Sequence, residues 1–152
     1  MKRYLQQKLN NEKGMTLIEL LAVIVIIAII AAIAIPAIGN IIENSRVGAM
    51  KSDALNAITA AGVYYADNPA AANNVAVSTL KTNYMSDTGT LTDGLTISKD
   101  GLVNGDAKVS DTLKLTFTGA NKKAISGTPN NSAAADYLNA THGGLGTVKV
   151  VR

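Results

Sequence analysis

The sequence predicts an α+β fold: a long N-terminal α-helix, membrane-spanning at first and amphipathic after, packed on a small antiparallel β-sheet head. Three observations predict it. The stretch from Leu20 to Ile42 contains no charged residue. From Val47 to Tyr65 apolar residues recur at steps of three and four. Beyond Pro69 the chain breaks into short alternating segments separated by glycine-containing turns.

The 23 residues from Leu20 to Ile42 make a helix of about 34 Å at ~1.5 Å per residue, against a hydrocarbon core of roughly 30 Å. The segment is long enough to span. Glu19 stands at its mouth, and an ionisable side chain beside a spanning helix is costly unless partnered, which makes it a candidate functional residue.

After Pro36, the residues Val47, Met50, Ala54, Ala57, Ile58, Ala61 and Tyr65 share one helical face, with Glu43, Arg46, Lys51, Asp53 and Asn56 among them. That periodicity continues the spanning helix as an amphipathic one. Pro36 removes a backbone donor and crowds the preceding turn, so a kink or local melting is expected nearby, with Gly39 adding give. Asp67-Asn68-Pro69 should end the helix, because a proline disfavours the helical conformation in the residue before it. From Met15 to Ala66 the 52 residues would form a rod of roughly 78 Å.

The remainder, 67–152, reads as a globular head. Thr92-Asp93-Gly94, Lys99-Asp100-Gly101, Asn104-Gly105-Asp106 and Gly143-Gly144 carry the chemistry of turns with positive φ. Leu113 to Thr118 alternates apolar and polar, the period of a half-buried strand. Leu91 to Ile97, Leu102 to Val109 and Thr147 to Val151 are further strand candidates. Ser78 is placed to cap a short helix through Leu80 to Met85, and Ala133 to Asn139 is a second helical candidate. A head of this size has a modest core, which the Val47–Tyr65 face would complete. Tyr64 and Tyr65 are adjacent, so at most one of them is expected to face that core.

Lys2, Arg3, Lys8 and Lys13 against Glu12 give residues 1–14 a formal charge of +3, the whole net charge of the chain. The high overall pI therefore says nothing about nucleic acid. A basic flank before an apolar segment instead keeps the leader cytoplasmic and places the long C-terminal part outside. With no cysteine, the head must hold together by packing and hydrogen bonds.

Gly14 followed by Met15-Thr16-Leu17-Ile18-Glu19-Leu20-Leu21, after a short basic leader and before an apolar run interrupted by Pro36, resembles the class III signal of type IV prepilins, the family of pilins and pseudopilins. The resemblance covers Met1 to about Tyr65 and implies a pilin-like fold. It implies a leader, 1–14, cleaved after Gly14 by a prepilin peptidase and methyltransferase that also N-methylates Met15. The helix, 15–66, with its assembly segment at about 20–42, would then polymerise into a homopolymeric filament. Met15 stands where the family usually has Phe. Within one helix the new amine lies four residues from Glu19, on the same face. The family pattern instead pairs the amine with Glu19 of a neighbouring subunit, and makes Pro36 the point where the helix loosens in the filament. The precursor would be a single-pass inner-membrane protein with its head outside, and the assembled product an extracellular filament. Further partners implied are the pilus or secretion assembly machinery.

Two rival readings use the same residues. A secretory signal peptide also joins a basic region to an apolar one, and Ala32-Ile33-Ala34 fits its cleavage pattern. Glu19 inside the apolar stretch, the long leader and the unbroken periodicity beyond Pro36 count against it. An uncleaved single-pass anchor satisfies the length requirement alone.

No catalytic constellation is legible, and the chain is read as a non-enzyme with no cofactor and no metal. His142 is the single histidine, and Thr141-His142-Gly143-Gly144-Leu145-Gly146 reads as a surface loop rather than a phosphate cradle. Asp93, Asp100, Asp106 and Asp111 do not match the spacing of an EF-hand calcium loop, and isolated Asp-Gly pairs read as turns. Asn130-Asn131-Ser132 and Asn139-Ala140-Thr141 match a glycosylation pattern only as common triplets. One phenylalanine and five tyrosines make a dense stacking platform for single-stranded nucleic acid unlooked-for. The expected function is a structural type IV pilus subunit. The alternatives are a major pseudopilin of a competence or type II secretion system, or a minor pilin whose head binds DNA or a surface receptor at the filament tip. The task, whether adhesion, twitching, DNA uptake or secretion, stays open at this point.

Overall fold

The computed structural model describes residues 16–130, 136–137 and 146–151. The chain divides into two units, Met1–Gly39 and Asn40–Arg152, taken in turn.

The described part of the first unit belongs to helix α1, Leu17–Asp67, which continues into the second unit. Every leucine, isoleucine and valine between Leu17 and Ile42 is exposed. The most apolar 18 residues of α1 reach a mean hydropathy of 3.2, so the helix is long and apolar enough to cross a membrane. Pro36 lies inside α1 without interrupting it. The local melting expected there is absent: proline's fixed φ is already helical, and the ring removes only one rung, the bond to the Ala32 carbonyl.

In the second unit α1 buries Val47, Met50, Ala54, Ala57, Ala60 and Ala61, the face expected from the periodicity. Ile58 and Tyr65 sit at its margin, partly buried. Four alanines on this face keep side chains short where the helix meets the sheet. The helix ends as Asn68 donates from both its backbone N–H and its side-chain amide to the Tyr64 carbonyl, at 2.9 and 3.0 Å, just before Pro69.

Among the described residues six strands form one antiparallel sheet: β1 (Asn74–Ala76), β2 (Thr96–Ser98), β3 (Val103–Lys108), β4 (Lys114–Ala120), β5 (Asp136–Tyr137) and β6 (Thr147–Val151), in the order β1-β2-β3-β4-β6-β5. Helix α2 (Val77–Asn83) follows β1, and α3 (Lys122–Gly127) follows β4. The alternation in β4 places Leu115 and Phe117 in the core, joined by Ala120 at the strand's end, where Val103, Ala107, Val148 and Val150 from neighbouring strands meet Leu80, Leu95, Ile97 and Ile125.

Several expectations change. Leu91 to Ile97 is not one strand: only Thr96–Ser98 pairs fully, and Leu91 makes an isolated bridge to Ala107. Leu102 to Val109 forms a strand as expected, over Val103–Lys108, so the turn also expected at Asn104-Gly105-Asp106 is absent and these residues lie inside β3, beside a register shift against β4. Ser78 does not cap α2. The N-cap is Ala76, without a side-chain bond, and Ser78 falls within the helix. Asn121 is the residue that caps, its Oδ1 accepting from the Ala124 N–H at 2.8 Å to open α3. Within the helical candidate Ala133–Asn139, Asp136 and Tyr137 are a strand paired with β6, and its other residues lie outside the described ones.

Both adjacent tyrosines border the core, correcting the expectation of one. Tyr64 packs edge-on against Tyr65 and Tyr84, with centroids 5.3 and 5.4 Å apart. The Tyr65 hydroxyl shares its hydrogen between the carbonyls of Asn73 and Ile97, at 3.0 and 2.9 Å. Burial pushes this phenol up, which keeps it protonated as a donor.

Lys51 ties the segment after α3 to α1. Its Nζ donates to the Thr128 carbonyl at 2.5 Å and to Asn130 Oδ1 at 3.0 Å, and half-burial depresses its pKa. Lys51→Met keeps the apolar stem and removes both of these hydrogen bonds from a charged donor, so a loss of about 1–3 kcal/mol is expected. Thermal unfolding of the detergent-solubilised chain should show it as a fall of ~4–8 °C per kcal/mol.

Candidate assembly site at the helix N-terminus

The start of α1 is built by Thr16-Leu17-Ile18-Glu19. The Thr16 carbonyl accepts the first helical bond, from the Leu20 N–H at 3.1 Å, which makes Thr16 the N-cap. Its hydroxyl accepts from the Glu19 N–H at 3.3 Å. Glu19 Oε2 reaches back and accepts both the Thr16 N–H at 2.7 Å and the Thr16 hydroxyl at 2.8 Å. This reciprocal arrangement is a capping box, which satisfies donors that the first helical turn leaves without partners. The carboxylate also sits at the positive end of the helix dipole.

The partner that Glu19 needs is thus supplied within its own chain by Thr16, a residue to which the sequence reading gave no role. A signal for it was present: threonine followed three residues later by glutamate before an apolar run marks a helix start. Gly14 and Met15 lie outside the described residues. Pro36 is far along the same helix, within the exposed apolar stretch.

The head's other candidates are dispersed. Asp106 faces Lys114 at 3.9 Å, and Asp111 pairs with Lys108. The hydrogen bond and charge of Lys108 hold the Asp111 carboxyl below its usual range. Asn130 is engaged by Lys51. His142, Asn131, Asn139 and the glycines at 143–144 lie outside the described residues.

Comparison with family models matches residues 9–35 to the prokaryotic N-terminal methylation motif. The match takes in the cap, the glutamate and the first half of the apolar helix. No curated protein and no solved structure matches the chain. The motif implies processing by prepilin peptidase and assembly into pilus-type filaments, and with the exposed apolar helix it fits a precursor anchored in the inner membrane. Residues 9–35 therefore carry the class III signal motif of type IV pilins and pseudopilins, which supports a pilin-like precursor.

Proposed function

We propose that this chain is the structural subunit of a type IV pilus, acting by assembly rather than catalysis. In this reading it is cleaved after Gly14, N-methylated at Met15 and polymerised through α1 into an extracellular homopolymeric filament. The observation that carries the reading is the methylation motif opening directly into a helix whose large apolar residues are all exposed from Leu17 to Ile42. Such a surface exceeds what a soluble monomer leaves in water. It suits two successive environments, lipid before assembly and the helices of other subunits after it.

Cleavage converts the Met15 nitrogen into an amine, and burial among apolar helices makes an unpaired amine or carboxylate costly. Pairing the amine of one subunit with Glu19 of another removes both costs and fixes the axial stagger. A pilus is favoured over a secretion pseudopilus because two of the head's loop and strand carboxylates, Asp106 and Asp111, are engaged by lysines rather than gathered for calcium.

The test is the intact mass and first residue of protein sheared from the cell surface, with filament length from electron microscopy. Long filaments of a chain that starts at methylated Met15 are expected. A chain starting at Ile35, or one retaining Met1, would end this reading.

A further inference from the structure

The two oxygens of Glu19 are used unequally. Oε2 takes both donors of the capping box, the backbone N–H and the hydroxyl of Thr16, whereas Oε1 accepts no hydrogen bond among the described residues. An ionised carboxylate accepts at both oxygens, and a carboxylate withdrawn from water is costly wherever an oxygen lacks a donor. A single incoming ammonium cannot serve every lone pair.

We propose that Thr16 is a positioning residue for filament assembly. It holds Glu19 by Oε2 and leaves Oε1 as the oxygen offered to the amine of a second copy of this chain. This rests on the amine–Glu19 pairing proposed above and adds a division of labour to it. The capping box and the intersubunit pair then coexist, each serving one oxygen, and the subunit enters the filament with half of its carboxylate already satisfied. The hydroxyl matters twice, as donor to Oε2 and as acceptor from the Glu19 N–H, so the side chain turns only as a unit with the first helical turn.

Full-length variants expressed in the native cell test this, read as the ratio of sheared filament subunit to processed subunit left in the membrane. Thr16→Ser keeps both roles of the hydroxyl and should assemble like the parent. Thr16→Val keeps the shape and loses the hydroxyl, and the ratio should fall about tenfold, the factor set by one charge-assisted hydrogen bond lost out of water. Thr16→Asp separates positioning from plain capping. Aspartate is as good an N-cap as threonine, yet it cannot donate to Glu19 and repels it, so its ratio should fall at least as far.

A parental ratio for Thr16→Asp or Thr16→Val would overturn the assignment. So would a parental ratio beside an accumulation of uncleaved precursor, since Thr16 would then be serving the peptidase. Glu19→Gln is the control, because glutamine also closes a capping box while removing the charge. Normal filaments from Glu19→Gln would sink the amine pairing itself. Defective Glu19→Gln filaments beside normal Thr16 variants would sink only the role of Thr16.

Discussion

Glu19→Ala is expected to insert and be processed normally and yet yield essentially no filaments. Insertion is governed by the apolar run, with a mean hydropathy of 3.2 over its most apolar 18 residues, and alanine in place of Glu19 only lowers the cost of entering lipid. Loss of the capping box costs about 0.5–2 kcal/mol of helix stability, borne at one frayed turn. Assembly is different. Each added subunit would bury the Met15 amine of one chain against an alanine of another, and breaking a buried pair by removing one partner costs about 3–5 kcal/mol. At ~1.4 kcal/mol per factor of ten, every addition step weakens by roughly a hundredfold or more. Processed subunit should accumulate in the membrane while the sheared fraction empties. Parental filaments at parental abundance would show that the carboxylate is dispensable.

The second large effect is expected in the head, where Gly105→Ala should strongly destabilise the fold. Gly105 has φ +126, a conformation closed to residues with a Cβ at a strain of about 1–3 kcal/mol. The added atom would lie 2.7 Å from the Leu95 Cα and 3.1 Å from its Cβ. Leu95 cannot retreat: its side chain is fully buried, its N–H donates to the Thr92 carbonyl, and its own carbonyl accepts from Val77. Strain and overpacking together come to about 2–6 kcal/mol, against a total stability of about 5–15 kcal/mol for a whole domain. The thermal midpoint of the detergent-solubilised chain should drop by at least ~10 °C. A shift under ~2 °C would mean that β3 passes Leu95 with room to spare.

These two positions show how unevenly the sequence disclosed the molecule. The helix was legible because its signals are long: an uncharged run, then apolar residues at three and four, then a turn pair before Pro69. The expected stop at Ala66 and the observed one at Asp67 differ by a residue. β4 and β6 were legible because each keeps a two-residue alternation for five residues or more. β1 and β5 escaped because three and two residues cannot display a period, and their pairing is imposed by β2 and β6. Asn104-Gly105 reads as a turn by its dipeptide alone. It becomes strand because Asn104 Oδ1 accepts from the Gly119 N–H at 2.7 Å across the bulge and because Leu95 needs the space a glycine leaves. Tertiary contacts overrode local chemistry there, as they did at Ser78. At the assembly end, Glu19 announced itself by being charged at the edge of an apolar run. Thr16 did not, since a threonine beside a helix start draws notice only when its glutamate is considered with it.

The tyrosine cluster at the end of α1 also makes the chain its own optical probe. There is no tryptophan among the 152 residues, and five tyrosines supply the aromatic absorption besides one phenylalanine. Tyr4 departs with the leader if cleavage falls after Gly14, so three of the four that remain are Tyr64, Tyr65 and Tyr84, with Tyr64 edge to face against each of the other two at 5.3 and 5.4 Å. Rings at that spacing couple their transitions, and this one cluster is expected to supply most of the near-ultraviolet circular dichroism of the chain. Docking of neighbouring subunits against that corner, or its unfastening under tension, would register in label-free spectra of the intact filament.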